Sequence, residues 1–150
     1  MSHRLLIIES PYYSEITGKL REGAEAAIEA AGATADRVSV PGVLEVPAAL
    51  AMAIAAGEAG KGPVHDGYVL LGCVIRGETS HYDIVAGESA RAVMDLSVQH
   101  RLAVGNGILT VENEEQAMAR ADISRKDKGG DAARAALEMI ALRQCLEGMD

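Results

Sequence analysis

The chain has 150 residues and a formal net charge of −8; 49% of its residues are apolar, and its only aromatics are four Tyr. That length suits one domain over residues 1–150 with a single core, aliphatic and alanine-rich for want of Phe and Trp. The acidic balance excludes generic nucleic-acid binding, which needs a basic surface, and no apolar stretch approaches the length of a membrane span.

Two cysteines, Cys73 and Cys145, lack metal-ligand spacing and read as buried free thiols. The opening MSHRLLIIES lacks an apolar region long enough for a signal peptide, so a cytoplasmic protein is expected. In an acidic protein, a site for an anionic ligand must bring its own cations, so individual Arg and Lys residues carry weight.

The first predicted strand is Arg4–Glu9, ended by SPYYS, where Pro11 cannot continue a ladder. A helix follows over Ser14–Ala31, with Ile16, Leu20, Ala24, Ala27, Ile28 and Ala31 at helical spacing and Gly32 as its stop. A short strand, Arg37–Val40, leads into PGVLEVP, a loop shaped by a proline at each end. The spacing predicts a helix over Ala48–Ala56, a surface connection GEAGKGPVHDG, and a buried third strand, Gly67–Ile75. Next come a helix over Asp83–His100, a fourth strand over Ala103–Val111, a short helix in ENEEQAMARA and a polar loop, DISRKDKGG. The last helix is Asp131–Leu146, with Ala133, Leu137, Ile140, Ala141 and Gln144 on one face.

Alternating strands and helices, with continuous apolar strands, imply a parallel sheet covered on both faces. Right-handed crossovers make this a three-layer α/β/α sandwich with four strands and its site at the strands' carboxyl ends. That rim gathers Tyr12, Tyr13, a buried-looking Glu45, the GETSH loop and, from the fourth strand onward, Arg120.

Gly77, Thr79 and Ser80 could cradle an anion with loop amides and hydroxyls, and they could equally be an ordinary helix cap. Glu78 opposes an anion unless its side chain turns away. His81 can carry protons near neutral pH, and a histidine at a helix start can also be structural. His3, His65 and His100 have no such setting and read as surface residues. PGVLEVP could present backbone groups and the Glu45 carboxylate to a polyol, or Glu45 could cap the next helix. Tyr12 and Tyr13 could stack on a flat ring.

Taken together, PGVLEVP, LGCVIRGETSHYDIV, and GILTVENEEQAMARA followed by DKGG resemble the motifs of the 6,7-dimethyl-8-ribityllumazine synthase family. The likeness runs from LLIIES to AALEMIALR. It implies a flavodoxin-like fold and the condensation of 5-amino-6-(D-ribitylamino)uracil with 3,4-dihydroxy-2-butanone 4-phosphate, without metal or cofactor. By the same resemblance, Tyr12 stacks on the pyrimidine, and Val43, Leu44 and Glu45 bind the ribityl chain. Val74 and Ile75 read the pyrimidine, and Gly77, Glu78 and Thr79 form the phosphate loop. His81 moves protons, Arg120 binds phosphate as its catalytic companion, and Lys128 supports it.

The family's usual Arg-Phe-Asn is replaced here by Pro11-Tyr12-Tyr13, and Asn106 stands where many relatives carry a bulky apolar residue over the ring. The resemblance also implies small-molecule substrates and a homo-oligomer, a pentamer with sites between adjacent subunits. The little chain before the first strand favours an isolated pentamer over a sixty-subunit shell. A non-catalytic flavin- or lumazine-binding pentamer is the alternative that the tyrosines and Asn106 leave open.

Overall fold

The computed structural model describes residues 2–149. Four parallel strands run in the order β2-β1-β3-β4, with β1 at Arg4–Glu9, β2 at Thr34–Ser39, β3 at Gly67–Ile75 and β4 at Val104–Val111. Five α-helices alternate with them: α1 (Ser14–Ala30), α2 (Val46–Glu58), α3 (His81–Gln99), α4 (Glu114–Ala121) and α5 (Lys128–Glu147). This is the expected three-layer sandwich.

The two-residue period of the strands sorts the core into two layers. Leu5, Ile7, Val69, Leu71 and Cys73 face α1, α4 and α5 through Ile16, Leu20, Ala117, Ala133 and Ile140. Leu6, Ile8, Tyr68 and Leu70 face α2 and α3 through Val46, Leu50 and Val93. β1 and β3, buried on both faces, carry the continuous apolar runs legible in sequence.

The edge strands do not. β2 begins at Thr34, three residues before the predicted Arg37, and ends at Ser39. Its residues are exposed apart from half-buried Asp36, so no apolar run marks its start. β4 alternates instead, burying Gly105, Gly107, Leu109 and Val111 on the α5 side and exposing Asn106 and Thr110 on the other.

Several boundaries move. α2 starts at Val46, directly after a 3-10 turn over Val43–Glu45. α5 starts at Lys128, so the GG of the supposed polar loop lies in its first turn, capped by Asp127, whose side chain accepts from the Gly130 N–H. The buried face of α5 runs through Ala132, Ala133, Ala136 and Ile140, whereas Ala141 and Gln144 are exposed. In α1, Ile16, Leu20, Ala24 and Ile28 are buried as the spacing predicts, while Ala31 falls outside the helix and is exposed. Cys145 is exposed, against the expectation of two buried thiols.

His65 is not a surface residue. Its side chain is 5% exposed, with Nε2 2.7 Å from Asp36 Oδ2, and Arg4 Nε donates to the same oxygen at 2.6 Å. These bonds, Arg4 first and His65 second, hold the Asp36 carboxyl down at about 2, from an ordinary value of 3.8. A depressed carboxyl contributes stability that is complete above its ordinary value and is lost as the pH falls through the folded one. Asp36→Asn is therefore expected to destabilise the protein at neutral pH by less than about 1 kcal/mol, because the cluster is solvent-screened. In paired thermal melts the gap from the native chain should narrow as the pH drops from about 4 toward 2.

Candidate active site

Strand order reverses direction between β1 and β3, the place where open parallel sheets leave a crevice at their carboxyl ends. A cavity of about 480 Å³ lies there. Tyr12 and Tyr13 line it from the turn after β1, Val43, Leu44 and Glu45 from the turn after β2, and Cys73, Val74 and Ile75 from the end of β3. Gly77, Thr79, His81, Tyr82 and Val85 close it from the loop after β3 and the start of α3.

Each wall follows from local chemistry. The Thr17 hydroxyl donates to the Ser10 carbonyl at 2.9 Å, and the Thr17 N–H donates to the Tyr13 carbonyl at 2.9 Å, tying the PYY turn to α1. Tyr13 is half-buried against the core and meets Tyr12 edge-on, with ring centroids 5.0 Å apart and planes at 80°. Tyr12 itself is 75% exposed, a ring held in place but uncovered.

Val43 is buried against Val74 and Val85, anchoring the second wall. Glu45 is exposed rather than buried, and although it occupies the N-cap position of α2 its side chain makes no capping bond. Glu45 Oε1 would lie 3.0 Å from a Cβ placed on Gly42, so the carboxylate folds back across its own turn.

The GETSH loop departs from an ordinary cap. Ser80 holds the N-cap position without a side-chain capping bond, while Thr79 Oγ1 accepts from the His81 N–H at 3.3 Å. A Cβ at Gly77 would meet nothing within 4 Å, so the protein's own packing leaves room there. Glu78 is exposed and does not line the cavity. Burial, with Glu114 nearby, pushes the Cys73 thiol up to about 12, so it is protonated at neutral pH and is no nucleophile.

The remaining sequence candidates gather elsewhere. Asn106, Arg120 and Lys128 line a second cavity of about 380 Å³, together with Ile108, Thr110 and Asp131. Arg120 is half-buried and Nη1 donates to the Gln116 carbonyl at 3.0 Å; among the described residues it has no carboxylate partner. Lys128 Nζ lies 3.6 Å from Asp131 Oδ2. Asn106 Oδ1 accepts from the Ile108 N–H at 3.0 Å. One chain thus carries two separate cavities: one has rings, a hydroxyl-bearing loop and a histidine but no Lys or Arg among its described lining, and the other has the cations.

Sequence reasoning passed over Tyr82, which lines the first cavity and lies under the Arg76 guanidinium. The available signal was an aromatic directly after His81 in a chain with no Phe or Trp.

The strand order and the crevice define a flavodoxin-like α/β protein with a small-molecule cavity. The 6,7-dimethyl-8-ribityllumazine synthase family model matches residues 2–144, and the chain belongs to that family. It is 58% identical to the 6,7-dimethyl-8-ribityllumazine synthase of Agrobacterium fabrum, over 96% of this chain and 97% of that one. It is 59% identical to 6,7-dimethyl-8-ribityllumazine synthase 1 of Rhizobium meliloti, over 95% and 92%, and 58% identical to the Methylorubrum populi synthase, over 94% and 83%. Among the described residues, no helix is long and apolar enough to cross a membrane.

Proposed function

We propose that this protein condenses 5-amino-6-(D-ribitylamino)uracil with 3,4-dihydroxy-2-butanone 4-phosphate to give 6,7-dimethyl-8-ribityllumazine, phosphate and water, at sites completed between adjacent copies. The observation that carries the reading is the division of the site residues between two cavities of one chain.

In this reading Tyr12 stacks on the pyrimidine, and the ends of Val74 and Ile75 read its edge. Val43, Leu44 and Glu45 hold the ribityl chain, and Gly77, Glu78 and Thr79 receive the phosphate through their backbone and the Thr79 hydroxyl. Glu78, Asp83 and Glu112 make the surroundings of that loop acidic against one local cation, Arg76. A dianionic phosphate therefore needs charge from outside, and the neighbour's Arg120 and Lys128 supply it. Arg120 is suited to this because it is permanently charged, planar and, among the described residues, without a carboxylate partner of its own. Asn106 would come with them, facing the pyrimidine.

The chemistry is an amine attack on a ketone to form an imine with loss of water, elimination of phosphate, and closure of a ring with loss of a second water. Each step moves a proton, and His81 at the cavity wall is the carrier. Holding both substrates in one place supplies much of the remaining rate.

In the same reading the chain is a single domain that forms a homo-oligomer, with a ring of five as the favoured assembly. Met52 on α2 and Ile84, Met94 and Val98 on α3 are more than half exposed, and Asn106 and Thr110 on β4 lie on a sheet face left open. A second copy set there covers that face. A soluble cytoplasmic enzyme fits the same picture. The non-catalytic alternative is not favoured, given relatives at 58–59% identity that are named as synthases.

Arg120→Ala is expected to weaken use of the butanone phosphate by about 1.5–3 kcal/mol, the worth of a charge-assisted pair, with pyrimidine binding nearly intact. The isolated monomer should be inactive. Co-refolding His81→Ala with Arg120→Ala chains should restore activity above either variant alone, since mixed rings place some intact His81 opposite an intact Arg120. Mixed rings that stay at the level of the separate variants would overturn the shared site. Failure of the native chain to form the lumazine chromophore from the two substrates would overturn the reaction.

A further inference from the structure

Arg76 stands at the end of β3, immediately before the loop assigned above to phosphate. Its N–H donates to the Val111 carbonyl at 2.9 Å, fixing its backbone to the end of β4. Its guanidinium then meets three partners. Nε donates to Glu112 Oε2 at 2.8 Å, Nη1 lies 3.5 Å from Asp83 Oδ1, and Cζ sits 4.1 Å from the Tyr82 ring centroid. Tyr82 and Asp83 belong to the first turn of α3, on the far side of the loop. One side chain therefore joins the two ends of Gly77–His81 and ties both to the β4–α4 junction.

Exposed ion pairs of this kind add little to stability singly. Their geometry is the point: a planar cation that stacks on a ring and bonds in its own plane has few orientations open to it. The loop it spans lacks a side-chain cap from Ser80, and a Cβ on Gly77 would meet nothing within 4 Å. The loop's other ties are local: the His81 N–H donates to Thr79 Oγ1 at 3.3 Å and the Asp83 N–H to the Ser80 carbonyl at 3.0 Å.

We infer that Arg76 is a positioning residue, a clasp that pre-forms the Gly77–Ser80 loop and sets the start of α3, where His81 sits, before the phosphate arrives. This rests on the reading of that loop as the phosphate cradle. Arg76 lines neither cavity, and it acts through Tyr82, Asp83 and Glu112.

A simple field effect makes the opposite claim in one variant. Removing the Glu112 charge makes the loop less negative and by Coulomb's law favours an anion. Loss of the clasp disorders the loop and disfavours it. Kinetics of the assembled enzyme, with KM for each substrate and kcat measured separately, decide between them.

Glu112→Gln is expected to raise KM for the butanone phosphate severalfold and Arg76→Met about tenfold, with KM for the pyrimidine amine moving less than about twofold. The double variant should be no worse than Arg76→Met alone, because both act on one clasp. Arg76→Lys should recover part of the loss, since it keeps the charge without the planar stacking. If Arg76→Met does not assemble, Glu112→Gln and Asp83→Asn each remove one arm and should give the same split.

A phosphate KM that falls or stays level in Glu112→Gln overturns the clasp. Thr79→Val separates this from the underlying reading. A raised phosphate KM there with an unmoved one in Glu112→Gln sinks the clasp alone, whereas no effect of Thr79→Val sinks the cradle as well.

Discussion

His81→Ala is expected to slow formation of the lumazine chromophore by about 10²–10⁴-fold, the usual worth of a positioned acid–base group. Imine formation, phosphate elimination and ring closure each transfer a proton, and among the described residues His81 is the only histidine lining either cavity. It is the first residue of α3, exposed, with its backbone held to Thr79, so truncating its ring removes the proton carrier without disturbing a core contact. Substrate orientation survives in the variant, and orientation alone supplies a large part of such a rate, so residual turnover should remain measurable. The pH–rate profile is the sharper test. With His81 as proton carrier, the native enzyme's profile should show a limb that the variant's lacks. Profiles of the same shape in both proteins would remove His81 from the proton-transfer role.

Gly105→Ala is expected to cost on the order of 3–5 kcal/mol, a large part of a typical domain's stability. Gly105 lies on the β4 face against which α5 packs, and a Cβ there would fall inside the Ala132 carbonyl. That neighbour is helix backbone and cannot rotate away, so α5 would have to lift as a body. Gly129→Ala meets the same obstacle on the other side of the helix, where the Cβ would overlap the Leu20 carbonyl of α1. The strain reaches the site, because α5 begins at Lys128 and β4 carries Asn106 next to Gly105. Gly18→Ala in α1 is the control: its nearest neighbour is the end of the Arg21 side chain at 3.9 Å, and helix propensity alone makes the change neutral or stabilising by up to about 1 kcal/mol. Denaturant unfolding of the three variants should therefore separate close backbone approach from the general loss of a glycine. Equal midpoints for Gly105→Ala and Gly18→Ala would contradict the packing described.

The sequence by itself determined the class of fold, the element order and the position of the cavity. β1 and β3 are buried on both faces and so announce themselves as apolar runs, and parallel strands joined by helices leave their crevice at the carboxyl ends. Residues that follow β1, β2 and β3 before or at the start of the next helix, Tyr12, Val43–Glu45, Thr79 and His81, come together because chain connectivity already places them on one rim.

What connectivity does not set was left to tertiary structure. The start of β2 was hidden because an exposed edge strand needs no apolar pattern. Gly129 and Gly130 looked like a loop because local propensity counts against glycine in a helix, whereas a Cβ at Gly129 would overlap Leu20 on α1, distant in sequence, and one at Gly130 would overlap the capping Asp127 side chain. His65 looked like a surface residue because it lies in a connection and its partner, Asp36, lies on β2, distant in sequence. Arg76 carried no signal of its own, since its three partners are brought to it from α3 and the end of β4 only by the fold. Arg120 likewise shares the rim by chain order, but the fold places it on α4, with Asn106 of β4 and Lys128 of α5, at a second cavity.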